Sequence, residues 1–536
     1  MISDPFREGL AAGWRHIDAS TLSGTLEVEA DVVIVGSGAG GGVSAEILAN
    51  AGLTVVIVEE GPLRTTRDFR MRESEAYPAL YQESAARKTA DKAINILQGR
   101  CVGGSTTVNW TSSFRTPPAT LQWWQTAYGL RDLTVEELAP WFSAMEARLH
   151  IGNWPTAPNA NNSLLATGAA RLGIATNPIR RNVRGCWDLG YCGMGCPTNA
   201  KQSMLLTTLP AALSRGAALY SHLRAERLVF NGRQVERLEA QALAADGLHP
   251  GAAGINLRAR HFVLAGGAIN SPALLLRSRA PDPGGLAGTR TFLHPTVISS
   301  ALFDEPVRAH AGAPQSVYSD HFLDKVPIDG PLGYKLEVAP LHPVLFATTL
   351  QGWGENHRRM MEQFSHCQST LALLRDGFHP ESQGGRVRLR KDGSPLLDYP
   401  LNDPLWDGVR RALLTMAEIQ FAAGARWVTS VHETAPGWKS WAEARAGIAA
   451  LRLAPLVCRV VSAHVMGGCA MADSPQRGLT DSHGRHFHLD NLSVLDGSVF
   501  PTSIGANPQL SIYGLVARNA TSLAASLTGR PKPATL

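Results

Sequence analysis

The stretch that decides the fold is DVVIVGSGAGGGVSAEILANAGLTVVIVEEG, residues 31–61. It opens with four consecutive β-branched residues, 32–35, which is typical of a strand that is buried on both faces. Gly36, Gly38 and Gly41 then fall on the spacing G-x-G-x-x-G. Glycines at this spacing allow a tight turn, a close approach of the backbone to a pyrophosphate, and close packing of a helix on the strand.

The residues after these glycines complete a nucleotide-binding unit. Apolar residues at helical spacing predict a helix over residues 43–51 that ends at Gly52, and residues 54–58 predict a second buried strand. Glu59 closes that strand at the position where an acidic side chain holds the hydroxyls of an adenosine ribose. The motif alone is weak evidence, because glycine-rich loops are common. Here strand, helix, strand and carboxylate occur in the required order, which predicts an α/β fold that binds a dinucleotide.

Length and composition define the general class of protein. A chain of 536 residues exceeds one ordinary core, so two or three domains are expected. Charged residues make up 18%, and no stretch reaches the ~20 uninterrupted apolar residues of a membrane-spanning helix. The net charge of +5 comes without dense Lys/Arg runs, so no nucleic-acid partner is expected. The first residues carry no export signal, so the cytoplasm is the expected location, with peripheral membrane association left open.

A second glycine-rich block, LQGRCVGGSTTVNW, occupies residues 97–110. Gly99, Gly103 and Gly104, followed by the hydroxyl side chains of residues 105–107, provide small groups and hydrogen-bond donors where a flavin or a phosphate could approach. The alternative interpretation is an ordinary tight loop.

Three of the seven cysteines lie close together, at Cys186, Cys192 and Cys196, in the spacing C-x5-C-x3-C-P. Clusters of thiolates suit soft metals and iron–sulfur clusters, and a proline after the last cysteine recurs in such ligand runs. The other interpretation, which we prefer, is a set of buried reduced thiols, because free cysteine packs as a small hydrophobe.

From about residue 301 the sequence changes to longer strands, prolines and apolar loops, which predicts a separate domain. Within it, Asp392-Gly393 predicts a β-hairpin, and residues 405–424 predict an amphipathic helix. The predicted division is an N-terminal extension at 1–30, the first part of the nucleotide-binding domain at 31–300, the inserted domain at 301–457 and a C-terminal return at 458–536.

The C-terminal part holds the densest chemistry. His464 lies in SAHVMGGCAM, and a second turn-rich segment carries Asp496, Asn507 and Pro508. A single histidine is more often a structural residue than a catalytic base, but two turn-rich segments that flank a buried strand favour a site here.

Together these motifs resemble the glucose-methanol-choline (GMC) family of flavoenzymes over nearly the whole length of the chain. The resemblance rests on four separated blocks: the nucleotide unit that ends at Glu59, GRCVGGSTTVN, GGAINSPALLLRS, and the pair His464 and Asn507. Within the family the chain is most similar to long-chain alcohol oxidases and dehydrogenases, through Asn109-Trp110, Leu293-His294-Pro295 and NAKQS.

The resemblance implies a Rossmann-like FAD-binding domain with an inserted α+β substrate-binding domain, whose antiparallel sheet is covered by helices. It also implies oxidation of an alcohol, with His464 as the general base and Asn507 as the partner of the substrate oxygen. Val108 stands where some members attach the flavin to a histidine, so non-covalent FAD is expected. The cofactor-binding residues that it implies are Gly36, Gly38, Gly41, Glu59, Gly99, Gly103, Gly104, Thr107, Asn109, Asp496 and Pro508.

Several alternatives stay open at this point. The spacing of Cys186, Cys192 and Cys196 resembles the iron–sulfur segment of bacterial flavin-dependent glucose dehydrogenases, which would make the chain a sugar or polyol dehydrogenase. A nicotinamide-dependent dehydrogenase and a non-catalytic flavin electron-transfer subunit are more remote. The expected partners are a small, largely apolar alcohol and an electron acceptor that is oxygen, a quinone or a redox protein.

Overall fold

The β-branched run at residues 32–35 forms the end of a long central strand in the computed structural model, which describes residues 2–533. The strands are β1 (Arg15–Asp18), β2 (Ser23–Val35), β3 (Val55–Val58), β4 (Ile94–Ile96), β5 (Ile151–Gly152), β6 (Asn177–Pro178), β7 (Arg181–Asn182), β8 (Ala218–Ser221), β9 (Leu223–Asn231), β10 (Gln234–Leu243), β11 (Pro250–Leu264), β12 (Thr291–Phe292), β13 (Thr296–Leu302), β14 (Val317–Phe322), β15 (Tyr334–Val338), β16 (Cys367–Leu374), β17 (Arg386–Leu389), β18 (Pro395–Asp398), β19 (Trp427–Ser430), β20 (Val460–Ser462), β21 (Met466–Gly467) and β22 (Leu492–Val494).

Helices cover the sheets and connect them. They are α1 (Pro5–Ala11), α2 (Ala39–Asn50), α3 (Glu73–Leu80), α4 (Ser105–Val108), α5 (Pro118–Tyr128), α6 (Val135–Arg148), α7 (Ala160–Arg171), α8 (Thr208–Leu213), α9 (Gly267–Ser278), α10 (Pro343–Thr349), α11 (Glu355–Glu362), α12 (Asp403–Ala422), α13 (Trp441–Ala450) and α14 (Gln509–Thr528). Within residues 2–533, none of them is both long and apolar enough to cross a membrane.

The first large sheet has the strand order β1-β8-β3-β2-β11-β10-β9, with β22 paired to the end of β11. The pairs among β1, β8, β3, β2 and β11 are parallel, whereas β10 and β9 extend the sheet as antiparallel strands. Val32, Val33 and Ile34 are fully buried in its centre. The predicted α/β fold around a buried central strand is confirmed.

The second large sheet has the order β4-β20-β13-β16-β15-β14-β6, with β19 also paired to β13. All of its pairs are antiparallel except the short pair of β4 with β20. The long helix α12 packs on β13, β16 and β19 through Leu405, Val409, Leu413 and Met416. The sheet predicted for the inserted part is therefore present with its helical cover, and the hairpin predicted at Asp392-Gly393 is β17 and β18.

The structure adds detail at the predicted domain boundaries, which themselves stay a prediction. Residues before Asp31 carry α1, β1 and the first part of β2, so they contribute strands to the first sheet. Asp4 near the N-terminus is fully buried and accepts a hydrogen bond from Thr65. Likewise β4, β6 and β20 join the second sheet from outside residues 301–457, and β13 begins at Thr296, before that range.

The helix after the glycine turn begins at Ala39, four residues earlier than the predicted start. Gly40, Gly41 and Gly42 lie inside its first turns although glycine is a poor helix former. Close packing explains their presence. A Cβ atom on Gly40 would lie 1.8 Å from the carbonyl oxygen of Leu495, and one on Gly41 would lie 1.8 Å from that of Gly36. Tertiary contacts therefore overrule the local preference.

We expect Gly40→Ala to destabilise the protein. Alanine gains about 1 kcal/mol over glycine in a helix, but the new Cβ would force α2 away from Leu495, and overpacking of this kind costs about 1–3 kcal/mol or more. Gly254→Ala in β11 is the control, because a Cβ there meets no atom within 4 Å. Urea or thermal unfolding compares the two variants, and a Gly40→Ala protein as stable as the wild type would contradict this account.

Candidate active site

The glycine turn brings the end of β2 against the start of α2. Gly36 has a φ of 101°, a conformation that favours glycine, and a Cβ there would meet the carbonyl oxygen of Ala265 at 2.4 Å. Gly38 is the N-cap of α2 and no side chain caps the helix, so the backbone N–H groups of its first turn remain available to an anion.

Glu59 lies at the end of β3, next to this turn. Its carboxylate accepts hydrogen bonds from the backbone and hydroxyl of Ser37, at 3.1 and 2.6 Å, and from the backbone of Gly61, at 2.8 Å. Burial raises the pKa of Glu59, whereas the bonds from Ser37 and Gly61 oppose that effect. A carboxylate has about four acceptor positions, so one stays free for a ligand.

The second glycine block lies directly against the first. Gly103 donates its N–H to the hydroxyl of Ser37 at 3.0 Å, and a Cβ on Gly104 would lie 2.8 Å from the Cα of Gly38. A Cβ on Gly99 would in turn meet the backbone of Gly104 at 2.5 Å. The two glycine segments predicted as cofactor-binding thus form one surface of bare backbone. Thr107 follows in α4 and donates to the carbonyl of Val102 at 2.9 Å.

Asp496 ties the C-terminal segment to α9. Its carboxylate accepts from the backbone of Gly267 at 2.7 Å, from the hydroxyl of Ser271 at 2.6 Å, and from the backbone and hydroxyl of Ser498. Protein donors thus fill its four acceptor positions. The side chain of Asp496 organises the loop, and a cofactor would meet the backbone that it holds in place.

Asn109 joins the second glycine block to the C-terminal helix. Its amide donates to the side-chain oxygen of Gln509 at 2.7 Å, across 400 residues of sequence. Pro508 is the N-cap of α14, and Gln509 also donates to the carbonyl of Ser112 at 2.8 Å. These bonds fix the segment that begins with Asn507.

His464 contacts a second histidine, His294. Their Nδ1 atoms are 3.1 Å apart, and the rings are 5.2 Å apart between centroids. Burial lowers the pKa of His464 to about 4, with the charge of Glu337 raising it and that of Lys335 lowering it further. Both rings are therefore neutral near pH 7, and one Nδ1 donates the shared proton to the other.

His294 is held in an uncommon backbone conformation, with a φ of 48°. Asp376 accepts hydrogen bonds at 3.1 Å from the backbone N–H groups of both Leu293 and His294, and Tyr399 donates to the same carboxylate at 2.6 Å. Asp376 is fully buried. It serves as the anchor that sets the position of the His294 ring beside His464.

Asn507 contacts a buried ion pair on β15. Lys335 donates to its side-chain oxygen at 3.0 Å, and its amide donates to Glu337 at 3.2 Å. The charges of the same two residues act on the pKa of His464. Ser503, four residues before Asn507, donates to the backbone carbonyl of Asp376, whose carboxylate holds His294 beside His464. These contacts place the segments of His464 and Asn507 at one site.

Cys186, Cys192 and Cys196 line one pocket together with Trp187, Tyr191 and Pro197. Burial raises the pKa of the Cys186 thiol. Burial acts the same way on Cys196, but hydrogen bonds from Thr198 and the backbone of Lys201 outweigh it, so that its pKa is lowered. Among residues 2–533, no group of three or more Cys, His, Asp or Glu side chains is arranged to hold a metal ion. The alternative of iron–sulfur ligation is not shown by this arrangement.

Lys201 connects the cysteine segment to the second glycine block. Its ammonium is buried and donates to the carbonyls of Thr107, Asn109 and Cys192 at 2.6–2.8 Å. Burial lowers the pKa of Lys201, and nearby thiols oppose that effect. All three donors of the ammonium are thereby used.

Comparison with known proteins identifies the class. Two sequence profiles described as GMC oxidoreductase match residues 77–296 and 380–515. An uncharacterized GMC-type oxidoreductase of Sinorhizobium fredii is 30% identical over 508 residues, which cover 93% of this chain and 95% of the relative. A long-chain-alcohol oxidase of Arabidopsis thaliana is 27% identical over 511 residues, covering 91% of this chain and 66% of the relative.

Solved structures share the fold. Pyridoxine 4-oxidase from Mesorbium loti superposes with a TM-score of 0.68 at 21% identity, covering 92% of this chain and 98% of the other. An R554K variant of formate oxidase from Aspergillus oryzae gives 0.68 at 16% identity, covering 94% and 99%. The sequence profiles and relatives show that the chain is an oxidoreductase. It belongs to the GMC oxidoreductase family, whose members bind FAD.

Three residues of the site were not predicted as functional. His294 was noted only as part of a family marker, although its neighbour Pro295 marks a restricted turn. Lys335 and Glu337 alternate in the segment YKLEV, a pattern that indicates a solvent-facing side of a strand. The whole strand is buried, so the alternating pattern wrongly indicates exposure for Lys335 and Glu337.

Lys201→Met should destabilise the protein, because three buried carbonyls lose their donor and each unsatisfied buried group costs roughly 1–3 kcal/mol. Relief of the buried charge offsets part of this loss. The exposed Lys88→Met is the control. Equal unfolding midpoints for the two variants would show that the three carbonyl bonds contribute nothing to stability.

Proposed function

We propose that this chain oxidises an alcohol to an aldehyde or ketone with non-covalently bound FAD. The observation that carries the proposal is the chain of contacts that holds both residues: Asn507 bonds the buried pair Lys335 and Glu337, and Asp376 anchors both His294, the partner of His464, and Ser503, four residues before Asn507. In the described part of the chain, Nε2 of His464 forms no hydrogen bond, and one amide N–H of Asn507 is unused. His464 thus keeps a free proton acceptor, and Asn507 keeps a free hydrogen-bond donor.

The glycine surface fits the cofactor of the family. Side chains at Gly38 and Gly104 would fill the space between their backbones, which their absence leaves accessible. The uncapped start of α2 offers N–H groups to a pyrophosphate, and Glu59 keeps an acceptor position for a ribose hydroxyl. Val108, which cannot form a bond to flavin, supports non-covalent binding.

When bound, FAD supplies an acceptor for the hydride that an alcohol loses on oxidation. His464 accepts the hydroxyl proton at Nε2, which requires that its Nδ1–H donates to Nδ1 of His294. In this tautomer His294 accepts the hydrogen bond that orients the His464 ring, and Asp376 holds the backbone of His294. Asn507 donates its free amide N–H to the substrate oxygen, which stabilises the negative charge as the proton leaves.

A largely apolar alcohol is the substrate that the surroundings favour. The polar side chains near Asn507 are already bonded to one another, as with Gln315, which donates to Glu337 at 2.8 Å. Sugar hydroxyls left without partners there would be costly to bury. A separate apolar cluster of Ala339, Leu371 and Leu373 packs with Trp110, the residue after Asn109. Relatives named long-chain-alcohol oxidases support the same substrate class.

The apolar residues of the segment 340–353 do not line a substrate site. Leu341 and Phe346 belong to the core of the second sheet, whereas Trp353 is 88% exposed. The name oxidase in the Arabidopsis relatives supports oxygen as the electron acceptor, with a quinone or a redox protein as the competing acceptors.

His464→Ala should retain FAD but reduce the rate of flavin reduction by alcohol about 10²–10⁴-fold, because the general base is lost. His261→Gln is a matched control. The pKa of His261 is likewise lowered to about 4 by burial, and its partner is Ser493 in the first sheet. Anaerobic stopped-flow absorbance measures both variants. Near wild-type reduction in His464→Ala would remove it as the base.

The function itself is tested by anaerobic bleaching of the flavin with alcohols from short-chain to sterol-sized, next to glucose and gluconate. We expect kcat/KM to rise with chain length by at most about fourfold per methylene, the worth of one buried CH₂. Acid precipitation should release FAD into the supernatant, and air or a quinone should restore its colour. Faster reduction by sugars, together with iron and acid-labile sulfide in the protein, would favour the dehydrogenase alternative.

A further inference from the structure

Two opposite charges are buried on one strand beside the site. Lys335 and Glu337 alternate along β15 and so project to the same face, and they are 1% and 0% exposed. Lys335 Nζ lies 3.0 Å from Oε1 of Glu337. Such a pair is a poor source of stability, because desolvation of both ions offsets their attraction. The reason for burying these two charges therefore lies in their other contacts.

Both charged groups form hydrogen bonds with the side-chain amide of Asn507. The ammonium of Lys335 donates to Oδ1 at 3.0 Å, and Nδ2 donates to Oε2 of Glu337 at 3.2 Å. An ammonium can only donate and a carboxylate can only accept. If the amide turned over, NH₂ would face the ammonium and the carbonyl would face the carboxylate. The ion pair thus permits a single orientation, with one N–H of Asn507 left free.

We propose that Lys335 and Glu337 are positioning residues that lock the amide of Asn507 so that its free N–H meets the substrate oxygen, an inference that rests on the proposed function. The cation on Oδ1 also withdraws electron density from the amide, which makes the free N–H a stronger donor. The ring of Phe114, 3.0 Å from Nζ at its centroid, covers the remaining side of the ammonium.

The same pair acts on His464 from a distance. Glu337 raises the pKa of His464 and Lys335 lowers it, so the two charges of the intact pair oppose each other at the base. His294 is the titratable group in direct contact with His464, and Asp320 and Tyr318 lie near Lys335. Removing one member of the pair therefore leaves the other to shift the titration of the base.

The test uses the flavin-loaded enzyme and the best alcohol of the panel. Lys335→Met should slow flavin reduction about 10²-fold, the cost of a misplaced reacting group. Phe114→Leu is the control, because it changes the packing of the same ammonium without breaking its bonds to Asn507 or Glu337. If Lys335 had only a structural role, the two variants would reduce their flavin at similar rates, and that result would contradict the inference.

The pH profile of kcat/KM separates positioning from packing. The acid limb should move to higher pH in Lys335→Met, where Glu337 acts alone on His464, and to lower pH in Glu337→Gln, where Lys335 acts alone. Phe114→Leu should leave the limb in place. Shifts in the same direction for the two charge variants would overturn the inference.

A double-mutant cycle shows whether Lys335 acts through Asn507. If it does, Lys335→Met in an Asn507→Ala background should change the rate of flavin reduction by less than about twofold, since the amide that it orients is gone. If the rate losses of Lys335→Met and Asn507→Ala were instead independent, so that the double variant lost the product of the two, the proposal would be overturned.

The wild-type enzyme distinguishes failure of the proposed function from failure of the inference about Lys335 and Glu337. If no alcohol reduces its flavin, the proposed function fails, and a crystal structure of Lys335→Met then judges the inference alone. An Asn507 amide that keeps its orientation and its bond to Glu337 in that structure would contradict it, whereas a rotated amide would support it. If Lys335→Met does not fold, Glu337→Gln carries the same readouts.

Discussion

The close packing of α2 against the C-terminal segment is the constraint on which the rest of the structure depends. At Gly40 the helix backbone approaches the carbonyl of Leu495 so closely that no side chain fits. This contact positions the uncapped start of α2. Asp496, the residue after Leu495, accepts hydrogen bonds from α9 and so holds that helix as well. The turn that offers N–H groups to a cofactor and the segment that carries Asn507 are therefore parts of one packed unit.

Much of the fold was predictable because it follows from local patterns. The β-branched run, the glycine spacing and the hairpin at Asp392-Gly393 each depend on neighbouring residues only, and helix α12 agrees with its predicted range within two residues at each end. The start of α2 was predicted too late, because helix propensity does not register contacts with residues more than 400 positions away. The strands within residues 1–30 were missed because β1 is short and pairs with the distant β8.

The candidate site likewise contains residues that could be predicted from local motifs and residues that could not. Its glycines, Glu59, His464 and Asn507 belong to motifs and could be named from sequence, although motif membership did not reveal that the carboxylate of Asp496 is fully bonded to protein donors. Lys335 and Glu337 could not be named, because a charged residue on an alternating strand is ordinarily exposed. Only the packing of β15 between its neighbours in the second sheet reveals that these charges face inward.

The pairing of β22 with β11 has a consequence for how the chain is made. β11 ends at Leu264, and its partner begins at Leu492, near the C-terminus. During synthesis the ribosome must deliver almost the whole chain before this strand of the first sheet gains its last neighbour. Until then the end of β11 presents unpaired backbone groups, which invite pairing with other chains. The order of synthesis thus leaves the end of β11, in the first sheet, exposed until late, and chains truncated before β22 carry that edge permanently.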